Sequence, residues 1–155
     1  PESFLGELEE NRSIRKDLAE KIESGLPVFA ECGGLMYLTR SIEREGICKQ
    51  MVGVIPADVK FQKKPVGKGY SELEIQNNKG WFKSETPLKG HEFHYSRLVD
   101  IGNGVDFKFK VVRGTGVDGN QDGVLYKNVL ASYTHIHASV VKDWAASFVT
   151  AIRNR

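Results

Sequence analysis

The segment L-P-V-F-A-E-C-G-G-L-M-Y-L, residues 26–38, sets the architecture of this chain. It opens with a short apolar run, residues 26–30, which ends at a Cys-Gly-Gly turn and is typical of a buried, parallel strand. Apolar side chains at helical spacing follow in residues 34–42. The pattern predicts a strand, a tight turn and a helix, with Cys32 on the turn.

Outward from this segment, the ends of the chain are helical and its middle is β-rich. Apolar positions three or four apart predict one or two amphipathic helices in residues 3–24 and a closing helix in residues 140–153. Between them lie short β-rich segments separated by Gly, Asn and Pro: residues 48–55, 68–76, 80–82, 92–98, 106–112 and 123–125. This order predicts an open α/β sheet with a β-rich middle.

Composition and charge exclude several classes of protein. With 155 residues the chain fits one domain with its own core. Its 22 Lys and Arg against 20 Asp and Glu give a net charge of +2, and the charges are interspersed, which argues against nucleic-acid binding. Its apolar stretches are far shorter than the ~18 residues of a membrane span. Two cysteines make no disulfide framework, so we expect a reducing, cytoplasmic setting.

Cys32 is the candidate nucleophile. In an open α/β sheet, sites form at the carboxyl ends of strands, where the predicted turn puts this residue. A helix N-terminus would stabilise its thiolate, and the turn at Gly33 and Gly34 would bring backbone N–H groups close to a developing oxyanion. The competing interpretation is packing, because free cysteine is among the most buried residue types.

The four histidines lie in two short clusters, G-H-E-F-H-Y-S with His91 and His94, and S-Y-T-H-I-H-A with His135 and His137. A cysteine nucleophile needs a base that is distant in sequence and near in space, and each cluster offers one. A metal site is a weaker alternative, because no usual ligand spacing accompanies the pairs. His91 could be a core residue, whereas the mixed polar and aromatic surroundings of His94 suit a pocket equally well.

Taken in order, P-V-F-A-E-C-G-G-L-M-Y-L, M-V-G-V-I-P, G-K-G-Y, G-H-E-F-H-Y-S and A-S-Y-T-H-I-H-A give the chain a specific family resemblance. It resembles the C-terminal glutamine amidotransferase domain of the cobyrinic acid a,c-diamide synthase family, from Pro1 to about residue 150. The resemblance implies a flavodoxin-like open sheet of the class I, triad-type amidotransferase fold and a single glutaminase domain over residues 1–155.

The resemblance also implies roles for the candidate residues. Cys32 matches the family nucleophile, with Gly33 and Gly34 at the oxyanion site. Triad amidotransferases commonly carry a His-Pro-Glu block, which S-Y-T-H-I-H matches with His135 as the base and His137 in place of the orienting glutamate. If the match is shifted by two residues, His137 is the base.

In the absence of that glutamate, Glu31, Glu92 or a backbone carbonyl could orient the base. Glu92, His94 and Tyr95 are the residues we expect at the substrate.

Partners and cofactors follow from the same resemblance. An ATP- and Mg²⁺-dependent synthetase domain would amidate a corrinoid or related tetrapyrrole with ammonia from glutamine, in a full-length enzyme that could be a homodimer. This chain has no G-x-x-x-x-G-K-[ST], so we expect it to bind no ATP. We assign it no metal ligands either, because the histidine pairs lack a usual ligand spacing. Pro1-Glu2 matches the end of a Gly-rich turn that completes the oxyanion hole, so we expect a fragment lacking its first strands, with weak or no glutaminase activity.

Two alternatives concern the function itself. One is a non-catalytic, amidotransferase-like binding module in which Cys32 is idle. The other is amidation of a different tetrapyrrole, such as a nickel sirohydrochlorin or a sirohaem.

Overall fold

The structure is a computed structural model that describes residues 1–76, 79, 87–137, 141 and 144–153. The helices are α1 Leu5–Glu10, α2 Arg12–Glu23, α3 Gly33–Leu38 and α4 Trp144–Arg153. The strands are β1 Val28–Glu31, β2 Thr39–Arg44, β3 Ile47–Gln50, β4 Ile55–Phe61, β5 Gly67–Ile75, β6 Leu88–His94, β7 Ser96–Val99, β8 Asp106–Arg113, β9 Gln121–Tyr126, β10 Val129–Ser132 and β11 His135–Ile136.

These strands form two sheets. Over the described ranges, one sheet has seven strands in the order β1-β10-β9-β8-β5-β6-β11, and the other has four in the order β3-β2-β4-β7. The predicted α/β class and β-rich middle are confirmed. Pairing is parallel between β1 and β10 and between β2 and β4, and antiparallel in the other described pairs. Two of the antiparallel pairs, β2 with β3 and β9 with β10, are hairpins with two residues between the strands.

The opening segment folds as predicted up to Leu38, but the expected helix over residues 34–42 ends there. Thr39 adopts an extended conformation, and its Oγ1 donates to the Met36 carbonyl at 2.7 Å, which closes the last turn of α3. The chain continues as β2, where Ile42 is fully buried and pairs with Val59 of β4. Burial in this second sheet overrides the helical spacing that Ile42 shares with the preceding apolar residues.

The middle of the chain follows the predicted pattern with shifted boundaries. The segment predicted over 48–55 is split between β3 and β4, and that over 92–98 breaks at Tyr95 into the end of β6 and β7. The segments 68–76, 106–112 and 123–125 correspond to β5, β8 and β9. The predicted strand over 80–82 lies outside the described residues. Strand β10, which the sequence analysis did not single out, is buried along its whole length.

Two apolar clusters cover the faces of the seven-stranded sheet. One lies between the two sheets and includes residues of β1, β2, β4 and α3. The other includes Leu73, Phe109 and Leu130, and helix α4 packs against it through Trp144, whose ring lies 5.3 Å from that of Phe29. The ends of β1 and β10 therefore lie on a sheet that is packed from both sides.

Candidate active site

Cys32 lies on the turn between β1 and α3, as the sequence predicts. Its backbone is at φ 45° and ψ −98°, a strained conformation for a residue other than glycine. Its N–H donates to the Ser132 carbonyl at 2.7 Å, and its own carbonyl accepts from the Met36 N–H at 3.0 Å. A Cβ on Gly34 would lie 3.2 Å from the Ala30 Cβ, so the turn needs a small residue there. The strained turn is therefore held by hydrogen bonds to β10 on one side and to α3 on the other.

The surroundings of the Cys32 thiol favour its protonated form. Burial raises the pKa of the thiol, and the nearby carboxylates of Glu2 and Glu31 act in the same direction. The N–H of Gly33 opposes them by hydrogen bonding to the sulfur. The sequence predicts that the N-terminus of α3 stabilises the thiolate. Burial outweighs this effect, because α3 is only six residues long and the Cys32 side chain is half-buried. Chemistry at Cys32 requires a base.

The two histidine clusters meet across the pairing of β11 with β6. His135 lies opposite His91, and their rings are stacked with centroids 5.0 Å apart. His135 is partly exposed, and His137 is exposed, with its N–H donating to the Lys89 carbonyl at 3.4 Å. The clusters, distant in sequence, thus form one imidazole pair at the edge of the larger sheet.

Glu31 joins the nucleophile region to this pair. One carboxylate oxygen, Oε2, lies 3.4 Å from Nδ1 of His135, and the other accepts the N–H of Ile136 at 2.7 Å. Because Glu31 directly precedes Cys32, the same short segment carries the thiol and the acid that contacts the imidazole. Among the acids that the sequence analysis considered for orienting His135, Glu31 is the one that the structure brings to it.

Glu92 and His94 lie on the inward side of β6 and bind each other at 3.2 Å between Oε2 and Nε2. The Glu92 carboxylate also accepts the N–H groups of Thr115 at 2.6 Å and Gly116 at 2.9 Å, and Nδ1 of His94 lies 2.9 Å from the Ser96 carbonyl. Burial raises the pKa of Glu92, but the bonds from His94 and the two N–H groups outweigh it and hold the pKa below its usual range. The polar atoms of both side chains thus bind other groups of the protein.

Tyr95 differs from these two residues in being partly exposed. It packs edge-on against Phe93 and, together with Glu2, Arg44 and Phe61, lines an open cavity of about 620 Å³. Glu2, which lines this cavity, is also one of the carboxylates that raise the pKa of the Cys32 thiol. Tyr95 is therefore the member of the expected substrate group with access to open space.

Three further observations concern metal ligands, membrane spans and disulfides in the described residues. They contain no group of three or more His, Cys, Asp or Glu side chains that could hold a metal ion. Their helices are all too short or too polar to span a bilayer. Both cysteines, Cys32 and Cys48, are free thiols.

Sequence analysis missed Asp122, a fully buried carboxyl group in β9. Its oxygens accept the N–H groups of Gly123 at 2.8 Å, Tyr133 at 3.0 Å and Thr134 at 3.0 Å. Burial raises the pKa of Asp122 above its usual range, although these three N–H groups and the Thr134 side chain act in the opposite direction. In the sequence an Asp-Gly pair indicates an exposed turn. Only the structure shows that Asp122 is buried and binds three backbone N–H groups.

Tyr133 was missed as well, although it stands two residues before His135. It is fully buried, its ring stacks on that of His94 at 3.9 Å, and its hydroxyl lies 3.0 Å from Oγ of Ser96. Burial raises the pKa of this phenol, and a charge on Cys32 would raise it further. Tyr133 is thus stacked on the imidazole of the buried Glu92–His94 pair.

Comparison with known proteins gives matches over most or all of the chain. Residues 1–141 match the family described as the CobB/CobQ-like glutamine amidotransferase domain. The chain is 37% identical over 155 residues to a cobyrinate a,c-diamide synthase of Magnetococcus marinus, covering 100% of this chain and 33% of that protein. It is 41% identical over 149 residues to the enzyme of the same name from Archaeoglobus fulgidus, covering 96% and 32%. The chain thus spans about a third of the length of these relatives.

Solved structures agree on the fold. A crystal structure of a glutamine amidotransferase superposes with a TM-score of 0.63 at 20% identity, covering 94% of this chain and 71% of that one. A chain of the PurLQS structure from Thermotoga maritima superposes with a TM-score of 0.61 at 16% identity, covering 93% and 68%. At these identities the likeness concerns the arrangement of helices and strands.

Proposed function

This chain belongs to the family of CobB/CobQ-like glutamine amidotransferase domains, and we propose that, within a longer polypeptide, it hydrolyses the side-chain amide of glutamine to glutamate and ammonia. The observation that supports this most is the strained Cys32 turn beside the Glu31–His135 contact. A thiol with a raised pKa next to a carboxylate–imidazole pair has the parts of a base-activated nucleophile.

In the proposed reaction the sulfur of Cys32 attacks the amide carbon while His135 takes the thiol proton. The Gly33 N–H donates to the oxyanion of the tetrahedral intermediate. His135 then donates the proton to the amide nitrogen, and the C–N bond breaks. Ammonia is released, and the γ-glutamyl group remains bound to Cys32 as a thioester. Water then attacks the thioester, with His135 accepting its proton and passing it to the sulfur as the C–S bond breaks.

Glu31 orients the base in this proposal. Its contact with Nδ1 of His135 would hold the imidazole with Nε2 free to receive a proton, and the bond from Ile136 fixes the carboxylate itself. His137 is the alternative base. His137 is more exposed than His135 and lies after the end of β11, so we favour His135 as the base.

The acceptor of the ammonia lies outside this chain in our proposal. The relatives' name supports a corrinoid, cobyrinate, amidated at its a and c carboxylates by an ATP- and Mg²⁺-dependent region of a longer polypeptide. That polypeptide would act in the reducing cytoplasm, which suits two free thiols. Nickel sirohydrochlorin and sirohaem are the alternative acceptors, and a homodimer of the longer polypeptide is part of the same proposal. Incubating that polypeptide with glutamine, ATP and each tetrapyrrole would distinguish them by product mass.

The glutaminase proposal is tested by trapping the nucleophile. The probe is 6-diazo-5-oxo-norleucine, a glutamine analogue that alkylates an activated thiolate with loss of dinitrogen. Mass spectrometry should find the adduct on Cys32, with labelling slowed by excess glutamine and absent from Cys32→Ala. Cys48, an exposed free thiol, is the internal control.

Adducts on Cys48 alone, or labelling that glutamine does not slow, would overturn the proposal. Such a result would favour a non-catalytic binding module. The Magnetococcus marinus relative, labelled in parallel, would show that the reagent is effective.

A further inference from the structure

The link to the strand that carries His135 starts at Ser132, the last residue of β10, and continues through Tyr133 and Thr134. Each of the three is held by a hydrogen bond. The Ser132 carbonyl accepts the N–H of Cys32 at 2.7 Å, and its Oγ donates to the Thr134 carbonyl at 2.8 Å. The link therefore connects the candidate nucleophile at one end with the candidate base at the other. Its geometry sets where the imidazole lies relative to the thiol.

The antiparallel pairing of β10 with β9 ends at the pair Ala131 and Val124. Beyond this pair, a side chain of β9 instead of its backbone accepts the N–H groups of the link. The next residue of β9, Gly123, has a φ of 72°, which departs from strand geometry. Beyond it, Asp122 replaces the backbone acceptor, since its carboxylate takes the N–H groups of Tyr133 and Thr134. One acid thus satisfies two consecutive donors of the link that the sheet leaves unpaired.

A carboxylate suits this position for chemical reasons. When ionised it is an acceptor-only group with two oxygens, and the N–H groups of Gly123, Tyr133 and Thr134, which it meets together, favour that form. The site is fully buried, where an unpaired N–H is costly and no water replaces a lost acceptor. An uncompensated charge in such a place would also be costly, so the three donors and the acid depend on one another.

We propose that Asp122 is a positioning residue for the glutaminase reaction, which holds the link Ser132–Thr134 so that His135 faces Cys32. This inference rests on the proposed function. Asp122 touches none of the reacting atoms in this proposal and acts through the backbone N–H groups of Tyr133 and Thr134. Small displacements of a catalytic group cost rate steeply, with about 10²-fold for a shift of 1 Å.

The test is Asp122→Asn, which preserves shape and exchanges one acceptor oxygen for an NH₂ donor. That donor must then face a backbone N–H of the link or of Gly123, whichever way the amide is turned. We expect the saturating rate of Cys32 labelling by 6-diazo-5-oxo-norleucine to fall at least tenfold, with little change in the concentration giving half the maximal rate. The pH profile should move to more alkaline values, since hydroxide must then replace His135 in removing the thiol proton.

The matched control is Leu73→Ala, which opens a cavity in the other apolar cluster, beneath α4. It should lower the melting temperature without changing the saturating rate or the pH profile of labelling. If Asp122→Asn labels like the wild type, or changes only as Leu73→Ala does, the inference is wrong. If wild-type Cys32 is not labelled at all, the glutaminase proposal itself is wrong. That result differs from normal labelling of Asp122→Asn, which contradicts only the role of Asp122.

A second measurement covers the case in which Asp122→Asn does not fold. In the wild-type chain, hydrogen exchange should find the amides of Tyr133 and Thr134 as protected as those of the buried strand β10. Exchange as fast as in exposed turns would overturn the inference.

Discussion

The carboxylate of Glu31 lies 3.4 Å from Nδ1 of His135 and accepts the N–H of Ile136 through its other oxygen. In the triad arrangement that the sequence resembles, the orienting acid follows the histidine by two residues, where this chain has His137. Here an acid reaches the imidazole from the residue before the candidate nucleophile instead. Strand β1 thus ends in the acid, and the thiol follows on the next residue, so changes at either should affect one reaction.

The first prediction concerns Glu31→Gln. The amide keeps an acceptor for the Ile136 N–H but loses the charge that faces His135, so orientation and stabilisation of the imidazolium are both weakened. We expect the kcat of glutamine hydrolysis to fall about 10²-fold with KM nearly unchanged, the scale of a general-base contribution. Glu9→Gln, which removes a surface partner of Lys49, should leave kcat unchanged. Equal effects of the two substitutions would contradict the role of Glu31.

The second prediction separates the two candidate bases. His135→Ala should lower the rate of Cys32 labelling by a factor on the order of 10²–10⁴, because the thiol keeps its proton without a base. His137→Ala should change the rate by less than about threefold, because substitutions of surface residues outside a site usually have small effects. The measurement is the labelling rate of both variants at several pH values. The opposite ranking would assign the base to His137 and shift the match by two residues.

The third prediction uses the direction of the Cys32 pKa. In His135→Ala, alkylation of Cys32 by iodoacetamide should rise with pH through a midpoint above the ~8.5 of an ordinary thiol. Replacing Glu2 by Gln removes a negative charge that disfavours the thiolate, so the midpoint should then move to lower pH. Cys48, which is exposed, provides the reference rate in the same sample. A midpoint that is unchanged or higher in the Glu2 variant would show that this carboxylate does not act on the thiol.

The sequence predicts the position of Cys32, the candidate nucleophile, well because the information is local. An apolar run, a cysteine and two glycines are enough to predict the strand, the turn and the start of α3, and the structure confirms them. What ends α3 at Leu38 is the burial of Ile42 in the second sheet, which depends on a strand that begins at Ile55. No local pattern contains that partner.

The site beyond Cys32 depends on contacts between distant segments. The sequence indicates both histidine clusters, but only the register of β6 with β11 shows that His91 meets His135. In β6 the alternation buries Glu92 and His94 and exposes Phe93, the reverse of what hydropathy suggests. The inward polar pair is possible because nearby N–H groups and a carbonyl satisfy it, which single-sequence patterns do not reveal.

The fourth prediction tests how tightly β5 packs against this pair. A Cβ at Gly67 would overlap Nε2 of His94 and lie 2.5 Å from Oε2 of Glu92, in a place where neither side chain can withdraw. Gly67→Ala should therefore lower the free energy of unfolding by about 1–3 kcal/mol or more, as overpacking does. Gly6→Ala, in α1 with open space around it, should be neutral or stabilising by up to ~1 kcal/mol. Urea denaturation measures both, and a neutral Gly67→Ala would contradict this packing.

The fifth prediction concerns acid stability. The folded chain holds the pKa of Glu92 below its usual range, so the unfolded chain binds the proton more readily as the pH falls. The stability that Glu92 contributes is therefore complete above about pH 4.3, the ordinary pKa of a glutamate, and is lost as the pH falls through the lower folded value. Glu92→Gln should be less stable than the wild type at pH 7, and the difference in unfolding free energy should shrink below pH 4. Glu20→Gln, on the exposed face of α2, should show no such convergence. A difference between Glu92→Gln and the wild type that stays constant from pH 7 to pH 3 would mean that the carboxylate charge does not hold the buried pair together.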